Sequence, residues 1–163
     1  MAEAFGIAAS IGSIVHISRK IIEVIDDVKD ASIERLRLRD EISKAAVLIQ
    51  ALGYRIDEAR SGGLQLPTAD ALVNSGGLPD QLKKLLDTIS EKVAYTGRLR
   101  SFKSALTWPL QKKDTQQMLA EVQRYNSYFM LALQNDAMSV HLSPVFSQLA
   151  SAHYRQWIVF RDD

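Results

Sequence analysis

The chain has 163 residues, of which 24% are charged, and a formal net charge of +1. A chain of this length can bury a single core without metals or disulfides, and its balanced charge excludes a general attraction to nucleic acid. It contains no cysteine, which excludes disulfide scaffolds, thiol catalysis and thiolate metal sites and favours a reducing, cytoplasmic compartment.

The first predicted element is an unusually apolar helix at the amino end. No charged residue occurs from Ala4 to Ser18, and large apolar residues spread over most of the helical circumference: Phe5, Ile7, Ile11, Ile14, Val15 and Ile17. Two interpretations fit this pattern, a central helix of a bundle and a segment that enters lipid. The uncharged run would extend only about 22 Å, whereas a spanning helix needs about 20 apolar residues. We therefore expect the helix to prefer a protein core and to enter a membrane only when several copies assemble.

Two further long helices follow in the first two thirds of the chain. The second covers about 31–60, with an apolar stripe predicted at Ile33, Leu36, Ile42, Ala45, Ile49 and Leu52. Glycine and proline are concentrated in 61–79, which predicts a mobile connection. The third helix starts at Pro79 and Asp80 and ends near Gly97. Its apolar face is predicted to consist of Leu82, Leu85, Leu86, Ile89 and Val93.

The last third is predicted to hold a short helical piece, a fourth long helix and a tail helix. The short piece covers about 98–107 and is stopped by Pro109. The fourth helix starts at a capping box formed by Asp114 and Gln117 and ends near Asp136. Its apolar face is predicted to consist of Met118, Val122, Tyr125, Phe129 and Ala132. Ser143 and Pro144 then open a tail helix with an apolar side formed by Phe146, Leu149, Ala150 and Trp157.

These elements predict an all-α fold, an up-and-down bundle of four main helices with one or two short additional helices. Residues 1–136 would form the bundle. The tail, 137–163, would pack on the bundle, join copies of the chain or lead into a following domain.

The residues offer little for catalysis. The histidines are scattered and lack metal-binding spacing, the glycine pairs lack a phosphate-binding context, and no nucleophile elbow occurs. We therefore expect no enzymatic activity, no metal and no cofactor.

One cluster of charge stands out between 92 and 113, a stretch that contains six basic residues and no acid. Two aromatic residues are interleaved with them, and the set consists of Lys92, Arg98, Arg100, Phe102, Lys103, Trp108, Lys112 and Lys113. Basic residues attract anionic lipid heads, and tryptophan favours the membrane interface, so this basic and aromatic patch is a candidate membrane-facing surface. The alternative is a solvated face at a corner of the bundle. Too few aromatics are present for a nucleic-acid stacking platform.

Three segments carry a resemblance to a known family. They are MAEAFGIAASIGSIVHISRKIIEVIDDVKDA at the start, ERLRLRDEISKAAVLIQAL in the second helix, and GRLRSFKSALTWPLQKKDTQQMLAEVQRYNSYFMLALQND towards the end. Over about 1–136 the chain resembles the HeLo-like amino-terminal domain of fungal STAND proteins, the NOD-like receptors of filamentous fungi. The loop 61–79 and the tail 137–163 lie outside the resemblance.

The resemblance implies the effector end of a receptor that causes programmed cell death, as in heterokaryon incompatibility and fungal innate immunity. It implies self-association on activation, contact with anionic lipids and with other receptor domains, and relocation from the cytoplasm to the plasma membrane. The membrane-inserting segment would be Ala2 to Ile25, with Gly6 and Gly12 allowing close helix approach and Glu3 facing an oligomer axis. Both glycines also suit tight bundle packing, and Glu3 suits any helix amino terminus. The alternative function is an interaction domain that recruits a separate effector without touching membrane.

Overall fold

The computed structural model describes the backbone of residues 2–27, 32–62, 76–97 and 111–159. Side chains are described for 9–27, 32–62, 76–93 and 111–136. The described residues form four α-helices: α1 (Ala2–Asp26), α2 (Ile33–Ser61), α3 (Leu78–Gly97) and α4 (Lys112–Val159). The predicted short piece at 98–107 and most of the predicted loop 61–79 lie outside the described residues.

The helices alternate in direction along the chain. Asp26 at the end of α1 pairs with Arg39 near the start of α2, and Ile11 meets Gly53 further along α2, so α1 and α2 are antiparallel. The Glu34–Lys112 pair near the start of both helices and the hydrogen bonds from the Asn126 amide to Glu41 further along place α4 parallel to α2. α3 begins beside the amino-terminal half of α1 and packs along it in the same direction. The all-α up-and-down bundle expected from the sequence is confirmed.

Around the bundle the helices follow the order α3, α1, α2, α4, because the main contacts are those of α1 with α2 and α3 and of α2 with α4. α3 and α4 contact each other less. α2 and α3 therefore lie diagonally opposite.

The core contains one apolar face from each helix. The faces predicted for α3 and α4 are confirmed, except that Leu85 is only partly buried. The stripe predicted for α2 is correct from Ile42 onwards, but its first two members are wrong: Ile33 is 60% exposed and Leu36 is half-buried, whereas Leu38 is fully buried. Ile33 is the first residue of α2 and lies on the outer side, outside the core cluster.

The start of α3 is fixed by a local network. Gly76 has a φ of +78°, a backbone conformation that favours glycine, and its N–H donates to Asp80 Oδ2 at 2.9 Å. Asp80 Oδ1 accepts a hydrogen bond from the Ser10 hydroxyl at 3.2 Å. The helix start predicted at Pro79 and Asp80 is confirmed, and Asp80 also attaches α1 to α3.

The last third departs from the prediction. Lys112–Val159 is one continuous helix, so the helix end predicted near Asp136 and the separate helix predicted from Ser143 are both wrong. The intervening residues AMSVHL contain neither glycine nor proline, and a proline inside a helix can kink it without ending it. The capping box at Asp114 is also wrong, because α4 has already begun and Gln117 bonds to Glu121 instead.

Candidate functional site

α1, the predicted membrane-inserting helix, contributes one face to the core. Ile14, Ile21 and Ile25 are fully buried, and a flanking group is half-buried against them: Ile11, Val15, Ile17, Ile22 and Val24. The helix is thus a core helix of the folded bundle, in agreement with its expected preference. The backbone of α1 includes Glu3, Phe5, Gly6 and Ile7, whose side chains lie outside the described residues.

Among the described side chains, which begin at Ala9, the opposite side of α1 faces solvent without any charge until Arg19. The exposed positions before it are Ala9, Gly12 and His16, small or neutral residues spaced three and four apart on one line of the helix. A solvent-facing helix surface usually carries charged side chains. The described part of this segment can therefore move to a less polar environment without burying a formal charge on its outer face.

Gly53, which the sequence pattern does not single out, is the glycine that allows close helix approach in the bundle. A Cβ added at Gly12 would meet nothing within 4 Å, so the bundle makes no use of its small size. A Cβ at Gly53 of α2 would lie 2.6 Å from Ile11 Cδ1, so Gly53 is where α1 and α2 approach most closely among the described glycines. The packing role suggested for Gly12 is wrong, and its predicted role in helix approach between copies stays a prediction.

Few polar contacts attach α1 to its neighbours among the described residues. The Arg39 guanidinium bridges Asp26 at 2.9 Å, with both side chains more than one third exposed, and Ser10 bonds to Asp80. Ser18 of α1 is buried, and its Oγ has no hydrogen-bond partner in the described part of the chain. An unsatisfied buried hydroxyl costs about 1–3 kcal/mol, so Ser18 weakens the attachment of a helix that apolar packing otherwise holds.

The basic patch is only partly described, and it contains an acid that the linear sequence concealed. Lys92 and Lys113 are exposed, whereas Lys112 Nζ lies 2.9 Å from Glu34 Oε1 of α2. This hydrogen bond from Lys112, with the Glu34 backbone N–H, lowers the pKa of Glu34 from its ordinary 4.5 to about 2. The stretch 92–113 contains no acid in sequence, but the fold brings the acid Glu34 into the patch. Arg98, Arg100, Phe102, Lys103 and Trp108 lie outside the described residues.

α2 adds arginines to the same end of the bundle, because its first turns lie beside the start of α4. Arg35 and Arg37 are close in sequence to Glu34, and burial lowers the pKa of Arg35, which stays far above neutrality. Arg37 is exposed. These arginines lie far from the predicted patch in sequence, but the fold adds them to it. We call Lys92, Lys112, Lys113, Arg35 and Arg37 the basic end, although the acids Asp26, Asp27, Glu91 and Asp114 lie at the same end.

The two predicted functional features lie at opposite ends of the bundle. The basic end is formed where α1 finishes, α2 starts and α4 starts, as the Asp26–Arg39 and Glu34–Lys112 pairs show. The start of α1 lies at the other end, beside the start of α3. A helix the length of α1 extends about 38 Å, so the basic end and the first residues of α1 do not form one surface in the folded chain.

Within the described residues no helix combines the length and the apolar character that crossing a membrane requires. In the same part of the chain, no three His, Asp or Glu side chains are grouped in a way that could hold a metal ion.

Comparisons of the chain with protein-family models, with curated proteins and with solved structures find no match. The resemblance to the HeLo-like group therefore rests on the residues quoted above and stays a prediction.

Proposed function

We propose that the chain is an amino-terminal effector domain of a fungal NOD-like receptor, and that after induced clustering it targets and permeabilises membranes through α1. The observation that carries the proposal is the chemistry of α1: one face is packed in the core, and the described solvent-facing side is uncharged until Arg19. Such a helix is stable inside its own bundle and tolerates transfer to lipid once released.

The attachment of α1 is compatible with release. Surface ion pairs such as Asp26–Arg39 contribute about 0–1 kcal/mol, and Ser18 opposes burial of the helix. The apolar contacts of Ile14, Ile21 and Ile25 hold α1 in place, and lipid can replace them. Because the uncharged run of α1 is too short to span a bilayer and the carboxyl end of the helix is charged, we expect several copies to insert together, with Gly12 at a contact between copies.

The test is leakage of dye from anionic vesicles by the chain fused to an oligomerising scaffold. Gly12→Glu and His16→Glu together place two acids on the exposed face of α1, where they spare the core but cost about 2.5–3.5 kcal/mol each at mid-membrane. Ile14 is unsuitable for this test, because its side chain is fully buried. We expect the variant to keep its helicity and melting temperature and to lose leakage.

The matched control is Val47→Glu with Gln50→Glu on the exposed face of α2, which makes the same change in charge. This control should still cause leakage. Leakage by the α1 variant equal to that of the unmodified chain would refute membrane insertion through α1.

The alternative, recruitment of a separate effector, is favoured by one observation. Val47 and Tyr54 are 61% and 70% exposed on the outer side of α2, one heptad apart, where they offer an apolar contact for another protein. Cell death that persists with Gly12→Glu and His16→Glu but disappears with Val47→Glu would support recruitment over insertion.

A further inference from the structure

α4 carries a second apolar face besides the one that packs in the core. Its inner face buries Val122, Tyr125, Phe129 and Ala132. On the outer side Tyr128 is 44% and Leu131 is 54% exposed, and Met130 is also exposed. Large apolar residues that cluster on the solvent side of a helix usually mark an interaction surface.

The exposed pair begins a regular series. Starting at Tyr128, steps of three and four residues repeat without interruption through the rest of α4. The members are Tyr128, Leu131, Asn135, Met138, Leu142, Val145, Leu149 and Ala152. All but Asn135 are apolar, and the spacing is the heptad repeat of a coiled-coil seam.

The continuity of α4 makes this series a single line. If a helix ended near Asp136, the residues before and after that point would lie on unrelated faces. Because Lys112–Val159 is one helix, its register places Met138, Leu142, Val145 and Leu149 on the line that starts at Tyr128 and Leu131. Pro144 lies off this line.

The series extends past the other helices. Glu41 of α2 lies beside Asn126 of α4, so the end of α2 at Ser61 lies level with about residue 145 of α4 at equal rise per residue. The last turns of α4 therefore run beyond α2.

The charge pattern indicates what covers this face. From Tyr125 to Tyr154 the sequence contains a single charged residue, Asp136, which is buried. A symmetric contact places equivalent surfaces against each other, and a face with no formal charge meets its own copy without repulsion. A partner recognised by charge would find no complementary groups there.

We propose that the outer face of α4 from Tyr128 to Ala152 is a self-association surface, and that its occupant is α4 of a second copy of this chain, packed as a two-stranded coiled coil. Asn135 occupies the one polar position of the series, where coiled coils use asparagine to fix register and strand number. This pairing uses a different helix from the proposed membrane action and requires no lipid.

The experiment is sedimentation of the full 163-residue chain without lipid, over a concentration series from micromolar to near-millimolar. We expect a dimer, with a mass twice that of the 18.2 kDa chain. Leu131→Lys should raise the dissociation constant roughly 100-fold or more, because the symmetric contact loses two leucines at once. Leu142→Lys should have the same effect, because the proposed seam continues to Ala152, and a Leu142→Lys chain that dimerises as tightly as wild type would overturn this extent of the seam.

Val47→Lys is the matched control, since it replaces a similarly exposed apolar residue, 61% against 54%, on a different helix. It should remain dimeric, and circular dichroism should show unchanged helicity for all three variants. A wild-type chain that is monomeric throughout the series would overturn the proposal. A Leu131→Lys chain that dimerises as tightly as wild type would also overturn it, because the contact would then not involve Leu131. A Val47→Lys chain that is as monomeric as Leu131→Lys would overturn it too, because the contact would then not be specific to α4.

Discussion

The Glu34–Lys112 pair links two helices that meet only through the fold. Lys112 is 73% exposed and extends to a Glu34 side chain that is 16% exposed in the first turn of α2, where a helix amino terminus also favours an acid. Their contact fixes the start of α4 against the start of α2 and neutralises one lysine of the basic end. A substitution at Glu34 would therefore change both stability and surface charge.

The pKa of Glu34 gives this pair a defined pH dependence. A folded-state pKa of about 2, below the ordinary 4.5, means that the ionised form is favoured in the folded chain. The resulting stabilisation is fully present above pH 4.5 and is lost as the pH falls towards 2.

We expect Glu34→Gln to be less stable than wild type at neutral pH and equally stable near pH 2, as measured by urea unfolding. Lys112→Met should show the same pH profile, and adding it to Glu34→Gln should have little further effect. A constant difference between wild type and Glu34→Gln from pH 6 to pH 2 would contradict this assignment.

At the residue scale, the sequence does not show which helix glycine is needed for close packing. Gly12 and Gly53 both occupy helix interiors, and nothing in the linear pattern separates them. Only the approach of Ile11 to Gly53 reveals which one the packing requires. The acid that neutralises Lys112 is hidden for the same reason, because it lies 78 residues away in sequence. Contacts between distant segments are set by the order of helices around the bundle, which periodicity does not encode.

At the scale of the element, the stability of α1 packing against the bundle depends on Ser18, a polar residue in the buried face of α1. Ser18→Ala removes a buried hydroxyl that has no partner among the described residues. We expect it to stabilise the chain by about 1 kcal/mol and to slow the release of α1. Thermal unfolding and vesicle leakage by scaffold-clustered chains measure the two effects. Ser43→Ala on the exposed side of α2 is the control, and should raise stability by no more than a few tenths of a kcal/mol, the gain in helix propensity alone. A Ser18→Ala chain no more stable than Ser43→Ala would show that the hydroxyl finds a partner in solution.

Helix periodicity predicted the inner faces of α3 and α4 well, because their apolar residues recur at the spacing of one buried stripe. It predicted the extent of α4 badly. Asp136 and Pro144 lie at the boundaries that the sequence predicts, but neither prevents a helix from continuing when its neighbours have adequate helix propensity. The two apolar faces of α4 overlap in sequence between Tyr125 and Ala132. The outer apolar face of α4 can be recognised only after the residues of the buried face have been assigned.

On the scale of the whole molecule, the up-and-down order separates the basic end from the start of α1. If both act on one membrane, they cannot do so from the folded bundle in one orientation. The basic end would make the first electrostatic contact, and α1 would reach lipid only after leaving the core. Docking and insertion are then separate steps, and binding to vesicles should depend on the basic end even when α1 stays folded.

Charge reversal at the basic end tests the first of these steps. Lys92→Glu with Lys113→Glu changes two exposed residues that the described structure leaves outside ion pairs. We expect binding of the unclustered chain to anionic vesicles to fall about 10-fold or more in a sedimentation assay, because each basic residue near an acidic leaflet contributes about 1 kcal/mol. Lys44→Glu with Lys84→Glu is the control, since it changes net charge equally but lies on exposed faces of α2 and α3 away from that end. An equal loss in both variants would mean that overall charge, rather than the basic end, governs binding. Unchanged binding in the Lys92 and Lys113 variant would show that the described part of the basic end does not dock on the membrane. Both lysines lie at the same end of the bundle as the Glu34–Lys112 pair.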